Sequence, residues 1–375
     1  MLPRRFLNLI VDSREPGVRS LRCMDLKRLQ LFYPTTPPSP TTDGHRLAQA
    51  AVDAGNQKHK QAPELVMQSI RLPNPSFTFQ ASCSHGLSNR WSVSCFPLEE
   101  RMVLCTDLGG RSFLYDGDKH EVVIMPNLHN PNKSTPISLF VPSEDSSGGG
   151  SLFLMESIPR PVNKCKIGHP SDDFEVLVYH KDRMTWHCHS QLFPPPPYVH
   201  EPSYWDKRSK ISSYSVVSGG SLICVSFKDR GTYVLDTTRY LWDKVGDWAL
   251  PFHGKVEYVP ELKLWFGLSA DAQHLVAADL STMDSQPVLV GHWKKELCPP
   301  EEWIEFRDAQ LVNLGSGRFC IARFFILDDQ NFVVLTGVEV VPRLLNGNGK
   351  VKLEMTRHKS RRHTSVYKAR IEEVF

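Results

Sequence analysis

The 375-residue chain lacks the short signatures that announce common chemistries. There is no G-x-S-x-G elbow, no H-E-x-x-H, no Walker loop, no complete G-x-G-x-x-G and no C-x-x-C pair. Their absence removes the usual sequence warrants for a serine hydrolase, a zinc peptidase, a nucleotide-binding enzyme and a CxxC zinc or redox site. No apolar run approaches the roughly 18 residues of a membrane helix. "FLNLIV" (6–11) stops at Asp12, too short for a signal-peptide core. Strong charge of either sign is missing as well: 44 Lys and Arg stand against 41 Asp and Glu, a net +3 that gives the body no field suited to nucleic acid. Long helices have little room, because 28 prolines and 23 glycines leave few stretches beyond ten residues uninterrupted.

The nine cysteines are odd in number and scattered, and several sit in apolar runs such as "WSVSCFPL" and "GSGRFCIARFF". That is how free, buried thiols are distributed in a reducing compartment. The expected location is cytoplasmic or nuclear, which leaves the sequon at Asn132 without meaning.

What the chain does have is a repeated grammar. A strand ends at an aspartate, turn-forming residues follow, and a large apolar residue six places on begins a returning strand. Asp25 precedes Leu31, Asp116 precedes Val122 and Asp236 precedes Trp242 at this spacing. His180 takes the aspartate's place before Trp186, and Asp279 opens a looser version containing a proline. Such an aspartate can accept a hydrogen bond from the backbone two residues on and start the turn, so these four aspartates are read as structural. Another apolar run stands ahead of each hairpin, and a sixth unit runs through "LVNLGSGRFCIARFF" and "NFVVLTGVEVV" to "KVKLEMTRHK".

Three or four short strands per unit, with markers 43 to 91 residues apart, predict an all-β fold in which radial repetition buries both faces of each sheet. The expectation is one degenerate β-propeller over residues 1–375, of about six blades with five to seven possible. Paired β-sandwiches are the alternative. Gly219, Gly220, Tyr233 and Trp242 resemble the kelch blade pattern, although the Tyr-to-Trp interval is longer. Tyr233, Trp242 and Trp186 are accordingly expected as core aromatics. Either "RRFLNLIV" or "ARIEEVF" could complete the terminal blade. Residues 34–63, rich in Pro and Thr, predict a disordered insertion, and "PPPPYVHEPSYWDKRSK" (194–210) a stiff connection.

Few residues offer chemistry. His187 and His189, two apart, could share a strand face, but no further metal ligand is singled out. Adjacent carboxylates such as Glu99-Glu100, Glu301-Glu302 and Glu372-Glu373 should point to opposite sides of a strand and read as solvated charges. The run from Arg357 to Arg370 holds six basic residues and no acid, which predicts a solvated basic segment over 357–370. Arg357, Lys359, Arg361 and Arg362 are its candidates for contact with a partner or a nucleic acid.

Long segments resemble a known family. "RRFLNLIVDSREPGVRSLRCMDLKRLQLFYPT", "HGKVEYVPELKLWFGL", "ADLSTMDSQPVLVG" and "PEEWIEFRDAQLVNLGSGRFCIARFF" are similar to the grass-plant family known only as domain of unknown function 1668. The resemblance spans nearly the whole chain outside the insertion and supplies no catalytic residue. It implies kelch-like repeats of the kind attached to F-box proteins, yet no F-box precedes them, since strand-like sequence starts at Phe6. The expected function is a non-enzymatic protein-interaction scaffold with no cofactor and an unidentified protein partner. A small-ligand-binding or enzymatic propeller, and a nuclear protein contacting nucleic acid through the basic run, are the alternatives.

Overall fold

The computed structural model describes residues 3–13, 15–33, 67–81, 92–143, 149–162, 169–181, 186–271, 274–293, 299–344, 351–365 and 369–375. The insertion expected at 34–63 lies outside them. The fold is nearly all β, with strands interrupted by Gly, Pro and Asp turns as the composition requires.

In chain order, β1 (Phe6–Asp12) and β2 (Val18–Asp25) form a hairpin, then come helix α1 (Leu26–Leu29), β3 (Gln68–Ser69) and β4 (Phe77–Gln80). The second unit is β5 (Val93–Pro97), β6 (Met102–Asp107), β7 (Ser112–Asp116) and β8 (Glu121–Met125). The third is β9 (Pro136–Pro142), β10 (Gly149–Glu156), β11 (Ser171–Lys181) and β12 (Trp186–Phe193), followed by helix α2 (Pro202–Asp206). The fourth is β13 (Ile211–Val217), β14 (Leu222–Phe227), β15 (Gly231–Asp236) and β16 (Trp242–Gly246). The fifth is β17 (Phe252–Val259), β18 (Leu264–Ser269), β19 (Leu275–Ala278) and β20 (Leu289–Trp293). The sixth is β21 (Ile304–Gly315), β22 (Arg318–Leu327), β23 (Gln330–Leu344) and β24 (Val351–Thr364), and the chain ends in β25 (Arg370–Val374).

Within each unit the strands pair antiparallel in sequence order. The fourth and fifth units merge into one eight-stranded sheet through a parallel pairing of β13 with β17. The first unit is composite: its order is β25-β1-β2-β4, so the last strand pairs with the first. Both terminal segments therefore complete the same sheet.

Apolar packing shows how the units are arranged. Leu21 and Phe79 of the first unit pack with Cys95 and Tyr115 of the second, and Leu104 of the second with Leu154 and Leu177 of the third. Phe153 and Phe193 of the third meet Ile223 and Tyr233 of the fourth. Cys224 of the fourth meets Trp265 and Val276 of the fifth, and Phe266 of the fifth meets Phe319 of the sixth. Finally Val312 and Phe324 of the sixth pack with Leu7, Leu9 and Ile371 of the first. The shared cores thus run in a cycle, and each sheet buries both faces against its neighbours. This is the arrangement of a β-propeller, and it solves the burial problem of a lone four-stranded sheet.

The marker aspartates work locally. The carboxylate of Asp116 accepts from the backbone N–H of Asp118 at 2.9 Å and of Lys119 at 3.1 Å. Asp236 accepts from Thr238 at 2.8 Å and Arg239 at 2.9 Å, and Asp279 from Ser281 at 2.8 Å. Asp25 accepts from Lys27 at 2.8 Å, but there it caps α1 instead of opening a hairpin. Leu26-Lys27-Arg28-Leu29 are good helix formers, and the turn they make drops Leu31 into the core without a second strand. Val122 is the second residue of the returning strand, one place after its start at Glu121, and is 51% exposed, because β8 is the outer edge of its sheet.

The connection after the four prolines is more than a spacer. Tyr198 and Tyr204 are fully buried between the third and fourth units, and the Tyr204 hydroxyl donates to the carbonyl of Pro159 at 2.6 Å.

Among the described residues six cysteines are free, and Cys95, Cys105, Cys224 and Cys320 are buried. Burial pushes the thiols of Cys224 and Cys320 up to about 12, so only about one molecule in ten thousand carries thiolate at pH 8. Both should resist iodoacetamide at pH 8 in native protein and react fully in urea, as peptide mass mapping would show. Modification at native rates would mean that these cores open readily.

Candidate functional site

The innermost strands of all six units, β25, β5, β9, β13, β17 and β21, surround a central cavity of about 630 Å³. Four of them are bulged where they line it. In β25, Ile10 pairs with Glu373 and Val11 with Ile371, which leaves Glu372 as the extra residue. The bulge lets Ile371 and Val374, three apart, both enter the core and puts both Glu372 and Glu373 at the cavity. β17 carries an irregularity between His253 and Glu257, with Gly254 at φ +71°, a value that favours glycine. β13 and β21 shift register at Ile211–Ser213 and around Arg307–Gln310. A regular strand turns every second residue away; these bulges deliver consecutive polar residues inward.

The charges so placed are mostly paired. Arg307 Nη2 lies 2.6 Å from Glu372 Oε2, and Arg370 Nε lies 2.6 Å from Glu372 Oε1. Burial would raise the Glu372 carboxyl, but the two guanidinium groups outweigh it and hold it below the usual range. Asp308 lies 3.1 Å from His253 Nε2 and 3.4 Å from Lys210 Nζ; His253 above all holds its carboxyl down to about 2 against the effect of burial. Lys255 Nζ is 3.1 Å from Glu257.

Glu373 differs. Among the described residues it joins no hydrogen bond through its side chain and no ion pair. Burial pushes its carboxyl up to about 7, with Lys255, Arg307 and Arg19 opposing the shift and Glu372 adding to it. The folded chain therefore holds a proton that the unfolded chain, at the ordinary 4.5, has released. Stability should fall as pH rises from about 4.5 through about 7. Glu373→Gln removes the penalty: in urea unfolding the variant should match or exceed the parent at pH 8 and lose that advantage below pH 4.5. A variant weaker than the parent at pH 8 would contradict this.

A second polar cluster lies in the third unit. Glu175, on β11, has a side chain with 0% exposure and accepts from His129 Nδ1 at 2.8 Å, from Ser190 Oγ at 2.5 Å and from the His129 backbone at 3.1 Å. Ser, His and Glu meet here without the geometry of a proton relay. Serine and carboxylate both face Nδ1, whereas a relay needs them on opposite ring nitrogens. Lys133, 2% exposed, lies 3.7 Å from Glu175 and donates to the carbonyls of Asn130 and Asp172.

Of the residues singled out from sequence, Asp25, Asp116, Asp236 and Asp279 lie in caps and turns away from the cavity lining. Tyr233 is buried in the core between the third and fourth units. Trp242 is half-buried, and its indole N–H donates to Pro194 O at 2.8 Å. Trp186 opens β12 opposite Lys181. His187 and His189 are exposed, and no group of three or more His, Cys, Asp or Glu among the described residues is placed to hold a metal ion.

The basic run is no tail: residues 357–364 belong to β24 and pair with β23 on either side of a bulge at His358 and Lys359. Arg361 is 8% exposed and donates to the carbonyls of Leu29 and Gln30, closing the end of α1. Arg362 stacks 3.9 Å from the Phe332 ring centroid, Lys359 lies 5.2 Å from that of Tyr33, and Arg357 donates to Ser360 Oγ. Alternating basic residues along a strand can pack their stems and bond carbonyls, which a count of charges does not reveal.

A family model described as "Protein of unknown function (DUF1668)" matches residues 4–363. The chain belongs to this family. No curated protein matches it. Among solved structures, the Cps50 (Swd1) β-propeller domain of Myceliophteria thermophila is similar at 10% identity and TM-score 0.33, covering 70% of this chain and 85% of that one. The complex of KlAtg21 with the coiled coil of AgAtg16 is similar at 13% identity and TM-score 0.36, covering 70% and 72%. Hsv2 of Kluyvelomyces marxianus is similar at 10% and 0.32, covering 71% and 84%.

Proposed function

We propose that this member of the family is a non-enzymatic protein-interaction scaffold, a six-bladed propeller with degenerate kelch-like blades, working in the cytoplasm or nucleus. The carrying observation is the outer edge of the second unit. On β8, Ile124 is 86% exposed and Val122 51% exposed, on an edge strand whose backbone is paired on one side only. An apolar, half-paired strand is a template for an added strand from a partner, with backbone hydrogen bonds for affinity and alternate side chains for specificity. Val288 and Val290 repeat the feature beside and on β20, the outer strand of the fifth unit.

The free cysteines support a reducing compartment. Among the described residues no helix is long and apolar enough to cross a membrane. The engagement of Arg361 and Arg362 within the fold favours a protein partner over a nucleic acid. The test is affinity capture with the full chain from its own tissue, comparing the parent with Val122→Lys/Ile124→Lys. A protein retained at stoichiometric level by the parent and lost by the double variant supports the reading. Equal capture by both, or capture that vanishes on nuclease treatment, defeats it.

A further inference from the structure

We infer that the outer edge of the second unit pairs with the same edge of a second copy of the chain, β8 against β8, antiparallel about Val123. The inference rests on the reading of β8 as an open edge and names its occupant. The outer edges of the six units are not alike. β4 exposes Thr78 and Gln80, β12 exposes His187, His189 and Gln191, and β16 exposes Asp243 and Lys244. β20 exposes His292 as well as Val290, and its ladder shifts register at Ala277 and Ala278. β24 is covered in part by β3, and the Lys359 backbone donates to Leu31. Polar side chains, irregular ladders and covering segments are the devices that keep sheet edges from pairing. Among the described residues none of them interrupts β8 beyond Glu121. Its ladder with β7 runs without a shift from Glu121 to Met125, and Val122 and Ile124, on one face, are 51% and 86% exposed.

The strand Glu121-Val122-Val123-Ile124-Met125 is self-complementary. With a two-fold axis at Val123, Val122 of each copy lies opposite Ile124 of the other, and Glu121 opposite Met125. The exposed apolar residues then cover one another on a single face, and the two glutamates are kept apart. The whole strand enters the ladder. An axis at Val122 would set Ile124 against His120, a turn residue at φ +55° that precedes the strand. An axis at Ile124 would bring Pro126, which has no N–H to donate, opposite Val122. A second copy carries the matching pattern by construction, whereas any other strand must supply it. The product is one continuous eight-stranded sheet, β5-β6-β7-β8 joined to its own symmetry mate.

Sedimentation velocity on the full chain, from about 1 to about 500 µM, should show monomer giving way to dimer with a midpoint in the micromolar range, as a contact below about 1,200 Å² implies. Val122→Lys/Ile124→Lys sets lysine opposite lysine twice across the axis and should weaken self-association at least about tenfold, with an unchanged melting curve. Cysteine cross-linking reads the register. Directly opposite residues lie about 4.5–5.5 Å apart, within disulfide reach, and diagonal neighbours at about 7–8 Å lie beyond it. An equal mixture of Val122→Cys and Ile124→Cys chains, treated with oxidised glutathione, should therefore form the 122–124 disulfide, identified by peptide mass mapping. Either variant alone should form far less dimer. The concentration dependence of the parent needs no variant and stands if a variant misfolds. A chain that stays monomeric throughout, a dimer indifferent to the two lysines, or cross-linking as strong in one variant as in the mixture would each overturn the proposal. A monomer whose β8 still captures a different protein from tissue would overturn the self-pairing and leave the scaffold reading standing.

Discussion

Deleting Arg370–Phe375 should abolish the cooperative thermal transition of the whole chain. Those residues are six of 375, but they form β25, the inner strand of the sheet that joins the two ends. Ile371 and Val374 are buried in the core between the first and sixth units, and Asn8 and Phe375 exchange backbone hydrogen bonds at 2.9 Å. The carbonyl and carboxylate of Glu372 hold Arg307, and Gln310 Oε1 accepts from the Val374 backbone. Two buried apolar side chains are worth about 1.5–3 kcal/mol each, and each ladder bond roughly 1 kcal/mol. Their sum is of the order of a domain's total stability, about 5–15 kcal/mol. A graded version is Ile371→Ala, which should cost about 2–5 kcal/mol without removing the strand. Urea unfolding followed by circular dichroism reads both. A truncated chain that unfolds cooperatively at the parent's midpoint would show that β25 does not close the ring.

Glu175→Ala should destabilise by about 3–5 kcal/mol, the largest effect expected from a single polar substitution. The change deletes the acceptor for Ser190, for the His129 ring and for the His129 backbone, and leaves Lys133 buried without its nearest carboxylate. Burial already holds the Lys133 amine below its ordinary value, with Glu175 the first of the carboxylates opposing that shift. Removing both charges should be milder than removing one, because no ion is then stranded. Lys133→Met/Glu175→Leu is expected to recover a large part of the loss. Equilibrium unfolding of the two singles and the double closes the cycle, and strict additivity would refute the coupling.

The contrast between legible and hidden features follows the range of the interaction. The Asp turns were legible because an aspartate that starts a turn bonds the backbone two or three residues away, wherever the unit sits. Asp25 departed from the hairpin pattern because helix-forming residues happen to follow it. The cavity residues were hidden. Adjacent glutamates on a regular strand face opposite ways, so Glu372 and Glu373 read as solvated charges. The bulge in β25 brings both to the cavity. One clue was available: Ile371 and Val374 are apolar at an odd spacing, which strict alternation cannot bury on one face. Likewise the basic residues of β24 bond carbonyls some 330 positions away, as Arg361 does at Leu29, and no local pattern can report that distance.

By itself, the sequence determined the class of the fold, its repeated grammar of three or four strands per unit, the turns that punctuate it and the buried free thiols. Each of these follows from backbone preferences and apolar periodicity within a few residues. Only the tertiary structure decided which ends share a sheet, which edge strands keep apolar residues in water and which carboxylates meet at the centre. Those outcomes depend on groups far apart in the chain, and on bulges whose cost is offset only when the surrounding ring is closed.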